Sequence, residues 1–242
     1  MTPYKQDKST TTGSLQLSDR LRALADMVPT VECMADVGTD HAYLPLYLLQ
    51  VGKIHRALAL DVHAGPLQIA REHIKAQGQQ EAVTTVLSDG LSAVSLDAVD
   101  CVVIAGMGGA LILRILEEGR EKLRDVGTII LQPQSQLALV REFLQQNGFA
   151  ITEEKMLCED GKYYTILSLQ NAEHAIVKEE FLQYGELLLR HKDKVLYEYL
   201  LYKRKQYEQL LEKVQPETHS QRYGELRKEL RLLMTALEYY ES

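Results

Sequence analysis

Chemistry-bearing residues cluster first in Met34-Ala-Asp-Val-Gly-Thr-Asp-His-Ala-Tyr-Leu-Pro45, where an apolar run, Cys33 to Val37, turns at Gly38 into the polar corner Thr39-Asp40-His41. In an open α/β sheet, ligands bind outside the carboxyl ends of the strands. A glycine there lets the backbone approach a ligand, because no Cβ intervenes. Thr39 and Asp40 are N-cap residue types at the polar corner that leads into the next helix, whose free N–H groups suit a carboxylate or phosphate. Three later runs end in the same kind of residue. Leu60-Asp61-Val62 offers a carboxylate for two ribose hydroxyls, and Ser88-Asp89-Gly90 an acceptor for an adenine amino group with room for the ring. Ala105-Gly106-Met107-Gly108-Gly109 offers small residues, with Met107 available to an apolar or sulfonium-bearing group. Each is a weak signal, since acidic residues after strands often cap or turn the chain. Four in register weigh much more. A dinucleotide site would want G-x-G-x-x-G after the first strand, but that loop holds only Gly38, so a methyl-donor site is favoured over a dehydrogenase.

The elements that must position these residues follow from the apolar pattern. Short runs at Met34–Val37, Ala57–Val62, Thr84–Leu87, Cys101–Ala105 and Gly127–Leu131 alternate with helical stretches at Leu44–Val51, Pro66–Gln77, Gly109–Glu118 and Gln136–Asn147. That alternation predicts a parallel sheet with helices on both faces. Leu17–Val28 predicts a leading helix capped by Ser18 and ended by Pro29. Phe149–Met156 and Tyr163–Gln170 follow with only the turn Glu159-Asp-Gly-Lys162 between them. An antiparallel final hairpin on a parallel sheet points to the seven-stranded, Rossmann-like sheet of class I S-adenosylmethionine (SAM) methyltransferases. After Asn171 two helical periods appear, Leu196, Leu200, Tyr207, Leu210, Val214 and then Tyr223, Leu226, Leu230, Leu233, Leu237, Tyr240. With Gln215-Pro216 as the break, they predict an antiparallel, coiled-coil-like hairpin. The expected organisation is a disordered tail over 1–14, a SAM-binding domain over 15–170 and a helical hairpin over 171–242.

Composition sets the outer bounds. The chain has 242 residues, with 45% apolar and 25% charged, an ordinary globular balance. Its apolar runs fall far short of a membrane span and it opens with no apolar leader, so a soluble, cytoplasmic protein is expected. Three cysteines, Cys33, Cys101 and Cys158, occur singly, and the histidines outside the first corner (His55, His63, His73, His174, His191, His219) lack ligand spacing. No metal or disulfide framework is expected. The net charge of −7 excludes indiscriminate nucleic-acid binding, yet the segment after Asn171 is nearly balanced and carries basic clusters.

Asp36-Val-Gly-Thr-Asp-His-Ala-Tyr-Leu-Pro45, Ala105-Gly-Met-Gly-Gly109 and Leu131-Gln-Pro-Gln134 together resemble the bacterial tRNA (adenine(22)-N1)-methyltransferases. Leu17-Ser-Asp-Arg-Leu21 and the C-terminal hairpin match that family too. The resemblance implies a SAM-dependent enzyme that methylates N1 of an adenine in the D-arm region of tRNA. By matching motif, Gly38, Thr39 and Asp40, with Asp36 just before them, would line the methionine end. Asp61 would hold the ribose and Asp89 with Gly90 the adenine. Ala105, Gly106, Met107 and Gly108 would flank the sulfonium, and Arg20 would reach the methionine carboxylate. Gln132, Pro133 and Gln134 would sit at the base-binding position, although the family pattern has Asn where this chain has Gln134.

Adenine N1 suits such a site, because its lone pair can attack the sulfonium methyl directly without a general base. Orientation, and tolerance of the cationic product by Asp40, would suffice. His41, by hydrogen bond, and Tyr43, by stacking, are the candidates for holding the extruded base. On the hairpin, Lys192, Lys194, Lys203, Arg204 and Lys205, interleaved with tyrosines, are candidates for contacting tRNA. A monomer or weak dimer is expected. Two alternatives stay open: a SAM methyltransferase on another substrate, and a catalytically silent RNA-binding protein of this fold.

Overall fold

The computed structural model describes residues 15–172, 178–214 and 219–241. The expected tail over 1–14, His174 and the break at Gln215-Pro216 lie outside the described residues. Seven strands form one sheet: β1 (Val31–Val37), β2 (Ile54–Asp61), β3 (Val83–Leu87), β4 (Cys101–Met107), β5 (Thr128–Pro133), β6 (Phe149–Glu159) and β7 (Lys162–Asn171). Their order is β3-β2-β1-β4-β5-β7-β6, with β1 to β5 parallel and β7 antiparallel to both neighbours. This is the seven-stranded mixed sheet of the methyltransferase class. Asp160 and Gly161, both at positive φ, close the final hairpin as the turn sequence predicts.

The sheet is apolar on both sides because alternate residues of each strand feed opposite layers. Ala35, Val37, Val102, Ile104, Ile129 and Leu131 face helices α4 (Gly109–Glu118), α5 (Arg120–Leu123) and α6 (Leu137–Gln146). Met34, Ala57, Ala59, Cys101, Val103 and Ile130 face α1 (Asp19–Met27), α2 (Tyr43–Gln50) and α3 (Ala64–Ala76). Ser18 caps α1, its Oγ accepting from Leu21 N at 3.3 Å. Cys33 and Cys101 are buried, whereas Cys158 is exposed.

Two short and two long C-terminal helices build a third apolar cluster. Helices α7 (Glu179–Tyr184) and α8 (Glu186–Arg190), which the apolar pattern does not reveal, precede α9 (Lys194–Lys213) and α10 (Ser220–Glu241). Phe181, Tyr184, Leu189, Leu196, Leu200, Leu233 and Leu237 pack together and onto Met156 of β6. α9 and α10 run antiparallel, since Tyr240 Oη near the end of α10 donates to Asp193 O, the N-cap of α9, at 2.8 Å. The seam is tight only at that end. Leu196 and Leu200 are buried, but Leu210, an expected seam residue, is 41% exposed. The first hairpin helix also opens later than the basic cluster suggests: Lys192 stands in the preceding turn at φ 52°.

A buried ion pair joins these helices to the sheet. Arg141 of α6 and Glu154 of β6 are each 1% exposed, with Nε donating to Oε1 at 2.9 Å. Arg141 Nη1 donates onward to Leu182 O at 2.8 Å and Gln183 O at 3.2 Å, and Leu187 N donates to Glu154 Oε2 at 3.0 Å. Gly185, at φ 96°, leaves room for that carboxylate, because a Cβ there would lie 2.6 Å from Oε2. Removing one partner of such a pair strands a buried charge. Glu154→Gln is expected to lower unfolding stability by roughly 3–5 kcal/mol, read as a reduced urea midpoint by far-ultraviolet circular dichroism. An unchanged midpoint would mean the joint carries no stability.

Candidate functional site

The sheet order reverses between β1 and β4, so the loops after these two strands diverge and leave a crevice at their carboxyl ends. A cavity of about 330 Å³ lies there, walled by Arg20, Asp36, Gly38, Asp40, Tyr43, Asp61, Ala105, Gly106 and Gln134. Nine residues singled out from the sequence, drawn from three strands, two helices and the turns after β1 and β5, therefore meet at one place. Leu21, Leu24, Leu44 and Pro66 complete the wall. They read in the sequence as ordinary helix residues, and nothing in their spacing marks them as lining.

Gly38 adopts φ 77°, and a Cβ there would collide with Met107 Cε, so only glycine lets Met107 close over the turn. Gly106 also adopts φ 77°. The corner after Gly38 differs from its expected shape. Helix α2 opens at Tyr43 with Ala42 as N-cap, and His41 and Ala42 are both left-handed at φ 61° and 58°. Neither Thr39 nor Asp40 caps it, because two consecutive left-handed residues turn the chain before the helix begins. Thr39 is instead fully buried. Its hydroxyl makes no hydrogen bond of standard geometry among the described residues, though it lies close enough to Asp36 to favour that carboxylate.

Asp36 is 6% exposed at the cavity wall. Burial pushes its pKa from the ordinary 3.8 to about 6, the Thr39 hydroxyl opposes the rise, and the Asp40 and Asp61 carboxylates reinforce it. Asp61 caps its own turn, accepting from His63 N at 2.7 Å. Gln132, fully buried at the end of β5, accepts from Arg20 Nη1 at 3.2 Å and from Gly106 N at 3.1 Å. It thereby ties α1 to the β4 turn. Arg20 is held further by its N–H to Glu159 Oε1 at 2.9 Å and by the Tyr164 ring at 5.8 Å. Pro133 is buried behind the wall, where β5 pairs with Met107.

Asp89, Gly90, Met107 and Gly108 do not line this cavity. Asp89 is turned to solvent and clasped by Arg114, at 2.8 and 3.0 Å, which holds its carboxyl below the usual range. His41 stands behind Tyr43, ring to ring at 5.8 Å, with its Nε2 3.4 Å from Asp40 Oδ1. His73 completes that group, its Nδ1 3.0 Å from His41 O and its ring 5.1 Å from Tyr43. The sequence gives no sign of His73, because only the packing of α3 on this corner brings it near. Among the described residues no cluster of metal-ligating side chains occurs, and no helix is long and apolar enough to cross a membrane.

An orphaned buried hydroxyl, bare glycine turns, and buried or half-buried carboxylates beside a tethered arginine fit a zwitterionic ligand with a cationic centre. The Asp36 titration gives a direct check. The folded protein keeps the proton up to about pH 6 whereas the unfolded chain releases it near 3.8, so stability from this group falls as pH rises through that window. Asp36→Asn is expected to be more stable than the parent at pH 7 by on the order of 2–3 kcal/mol. The two should converge below pH 4 in urea titrations; a constant offset across pH would refute the assignment.

Residues 34–235 match the family described as tRNA (adenine(22)-N(1))-methyltransferase. The Bacillus subtilis protein of that name is 32% identical over 234 residues, covering 93% of this chain and 98% of its own. Among solved structures, Streptococcus pneumoniae Sp1610 in complex with S-adenosyl-L-methionine is 34% identical with a TM-score of 0.83, covering 92% of this chain and all of that one. M. capricolum TrmK, in complex with S-adenosyl-homocysteine, is 26% identical with a TM-score of 0.81, covering 92% of this chain and 98% of that one. Sequence and fold agree along nearly the whole length, and the chain belongs to the tRNA (adenine(22)-N(1))-methyltransferase family.

Proposed function

We propose that this protein methylates N1 of adenine 22 in tRNA with SAM as donor. The observation that carries this reading is the cavity at the β1–β4 switch, walled by glycine turns and carboxylates in a chain that belongs to this family. SAM, when bound there, supplies an electrophilic methyl group. Arg20, oriented by Gln132, would pair with the donor's carboxylate, and Asp61 would accept from its ribose hydroxyls. Asp36 and Asp40 place negative charge beside its cationic groups. Gly38 and Gly106 let backbone atoms come close, and Thr39 has a hydroxyl to offer. For Asp89 to reach an adenine it must turn from Arg114.

Tyr43, backed by His41 and His73, is suited to stack on the incoming base, and Gln134 is the amide nearest the β4 turn that can hydrogen-bond to it. Gln132 and Pro133 act as positioning residues. No proton needs removal from N1, so the residues' task is alignment, with Asp40 facing the product's positive charge.

We read 15–170 as the donor-binding unit and 171–242 as the unit that holds tRNA in the cytoplasm, the chain acting as a monomer or weak dimer. Burial of the α9–α10 seam at Leu200, Leu233 and Leu237 supports an intramolecular pair. Of the basic candidates, Lys203 lies over the Tyr199 and Tyr207 rings at 5.9 and 5.8 Å, and Arg204 pairs loosely with Glu208 at 3.9 Å. Lys192, Lys194 and Lys205 are exposed, as phosphate contacts require.

The decisive assay is transfer from labelled SAM to an unmodified tRNA transcript, beside the same transcript with guanine at position 22. Label in the adenine transcript alone is expected; equal label in both would discard the site. Reversing charge together at Lys203, Arg204 and Lys205 is expected to weaken tRNA binding about tenfold or more at moderate salt, with SAM affinity unchanged. Filter binding on the variant checks this, and unchanged tRNA affinity would remove α9 from the interface.

A further inference from the structure

A second cavity of about 320 Å³ opens where the β6–β7 hairpin, the turn after β5 and the C-terminal helices meet. Gln134 is the one residue on the walls of both cavities. Its lining joins aromatic rings to polar groups with unused capacity. Tyr184 is only 7% exposed, yet its hydroxyl makes no hydrogen bond among the described residues, and neither do those of Tyr163 and Tyr199. The side-chain amides of Gln134 and Gln183 are likewise uncommitted. Thr39 Oγ1 is the one buried side-chain polar atom without a partner among the described residues, so these groups reach the open space of the cavity and are available to whatever enters it.

Charge narrows the class of ligand. Among the described residues, the only charged one on this wall is Arg141, and Glu154 and two carbonyl oxygens consume it. A phosphate or carboxylate therefore finds no cation inside, and a cationic ligand finds no carboxylate aimed at it. What fits is a neutral, flat group that stacks on rings and exchanges hydrogen bonds along its edge, which describes a nucleobase. The mouth has the complementary character. Tyr202, 52% exposed, faces Tyr163 at 6.4 Å with planes 29° apart, and Lys203 lies next to Tyr199. Phosphates can stay outside on α9 while one base enters.

We infer that the cavity beyond Gln134 is a nucleobase subsite for a nucleotide adjacent in the tRNA to the methylated adenine, with Tyr184 and Gln183 reading its edge. This rests on the tRNA reading above. The base in this cavity is the neighbour and not the target, because the cavity shares only Gln134 with the donor site and none of Gly38, Asp61 or Gly106.

The test uses the full chain and four transcripts: intact tRNA, tRNA with guanine at position 22, and tRNA made abasic at position 21 or at position 23. Wild-type methylation of the intact transcript, with none when guanine occupies position 22, establishes the parent reading; its failure there would sink that reading first. Given that result, one abasic transcript is expected to raise KM for tRNA at least tenfold. That penalty should shrink to less than threefold in Tyr184→Phe combined with Gln183→Ala. SAM affinity should stay unchanged. Gln183 is exposed, so Gln183→Ala alone provides a variant whose folding is not in question. Overturning results are two: neither abasic transcript raises KM, or the penalty persists in full in both variants.

Discussion

The seating of the C-terminal helices hangs on the carboxylate of Glu154. Its two oxygens accept from Arg141 Nε and Leu187 N, Arg141 reaches on to the carbonyls that end α7, and Gly185 stands where any side chain would strike the carboxylate. Bringing two charges out of water is costly, and that cost is met here by a closed set of hydrogen bonds that no small shift of α7 or α8 would preserve. The apolar cluster around Phe181, Leu189 and Leu200 would tolerate sliding by itself, since apolar contact is not directional. The ion pair supplies the direction. It fixes Tyr184 and Gln183 against the sheet edge and so gives the second cavity its shape.

The donor crevice has a different origin. It exists because the order of the parallel strands reverses between β1 and β4, which parts the following loops, and its lining exists because each strand ends in a residue that tolerates close approach. Gln132 makes this crevice one unit. By accepting from both Arg20 and Gly106, it couples the leading helix, remote in sequence, to the β4 turn. Asp36 shows the cost of the arrangement. A carboxyl buried beside two others holds its proton to about pH 6 and waits for positive charge to settle it.

The glycine turns and run-end acids were legible because each needs only its own strand to place it. All seven strands, the antiparallel ending and the Ser18 cap follow from local pattern for the same reason. The helix after Gly38 stands where its apolar run places it, but its cap does not: Thr39 is an N-cap type by composition yet is swallowed by the sheet crest, while His41 and Ala42 turn left-handed. α7 and α8 escaped notice because helices of six and five residues are too short to show a period. Asp89 stood in register with Asp61 in the sequence, yet Arg114 of α4, 25 residues on and beyond β4, takes its carboxylate.

The sequence by itself therefore determined the strand count, the sheet class, the family and the cluster of acids and glycines at one edge, all of which depend on periodicity and on residues near each other in the chain. Tertiary structure alone decided which of those residues face a common space. It also decided that Gln132 bridges, that His73 joins Tyr43, and that Gln134 stands between two cavities. These depend on contacts between elements far apart in the chain, where geometry is set by packing and buried charge, and no local pattern records them.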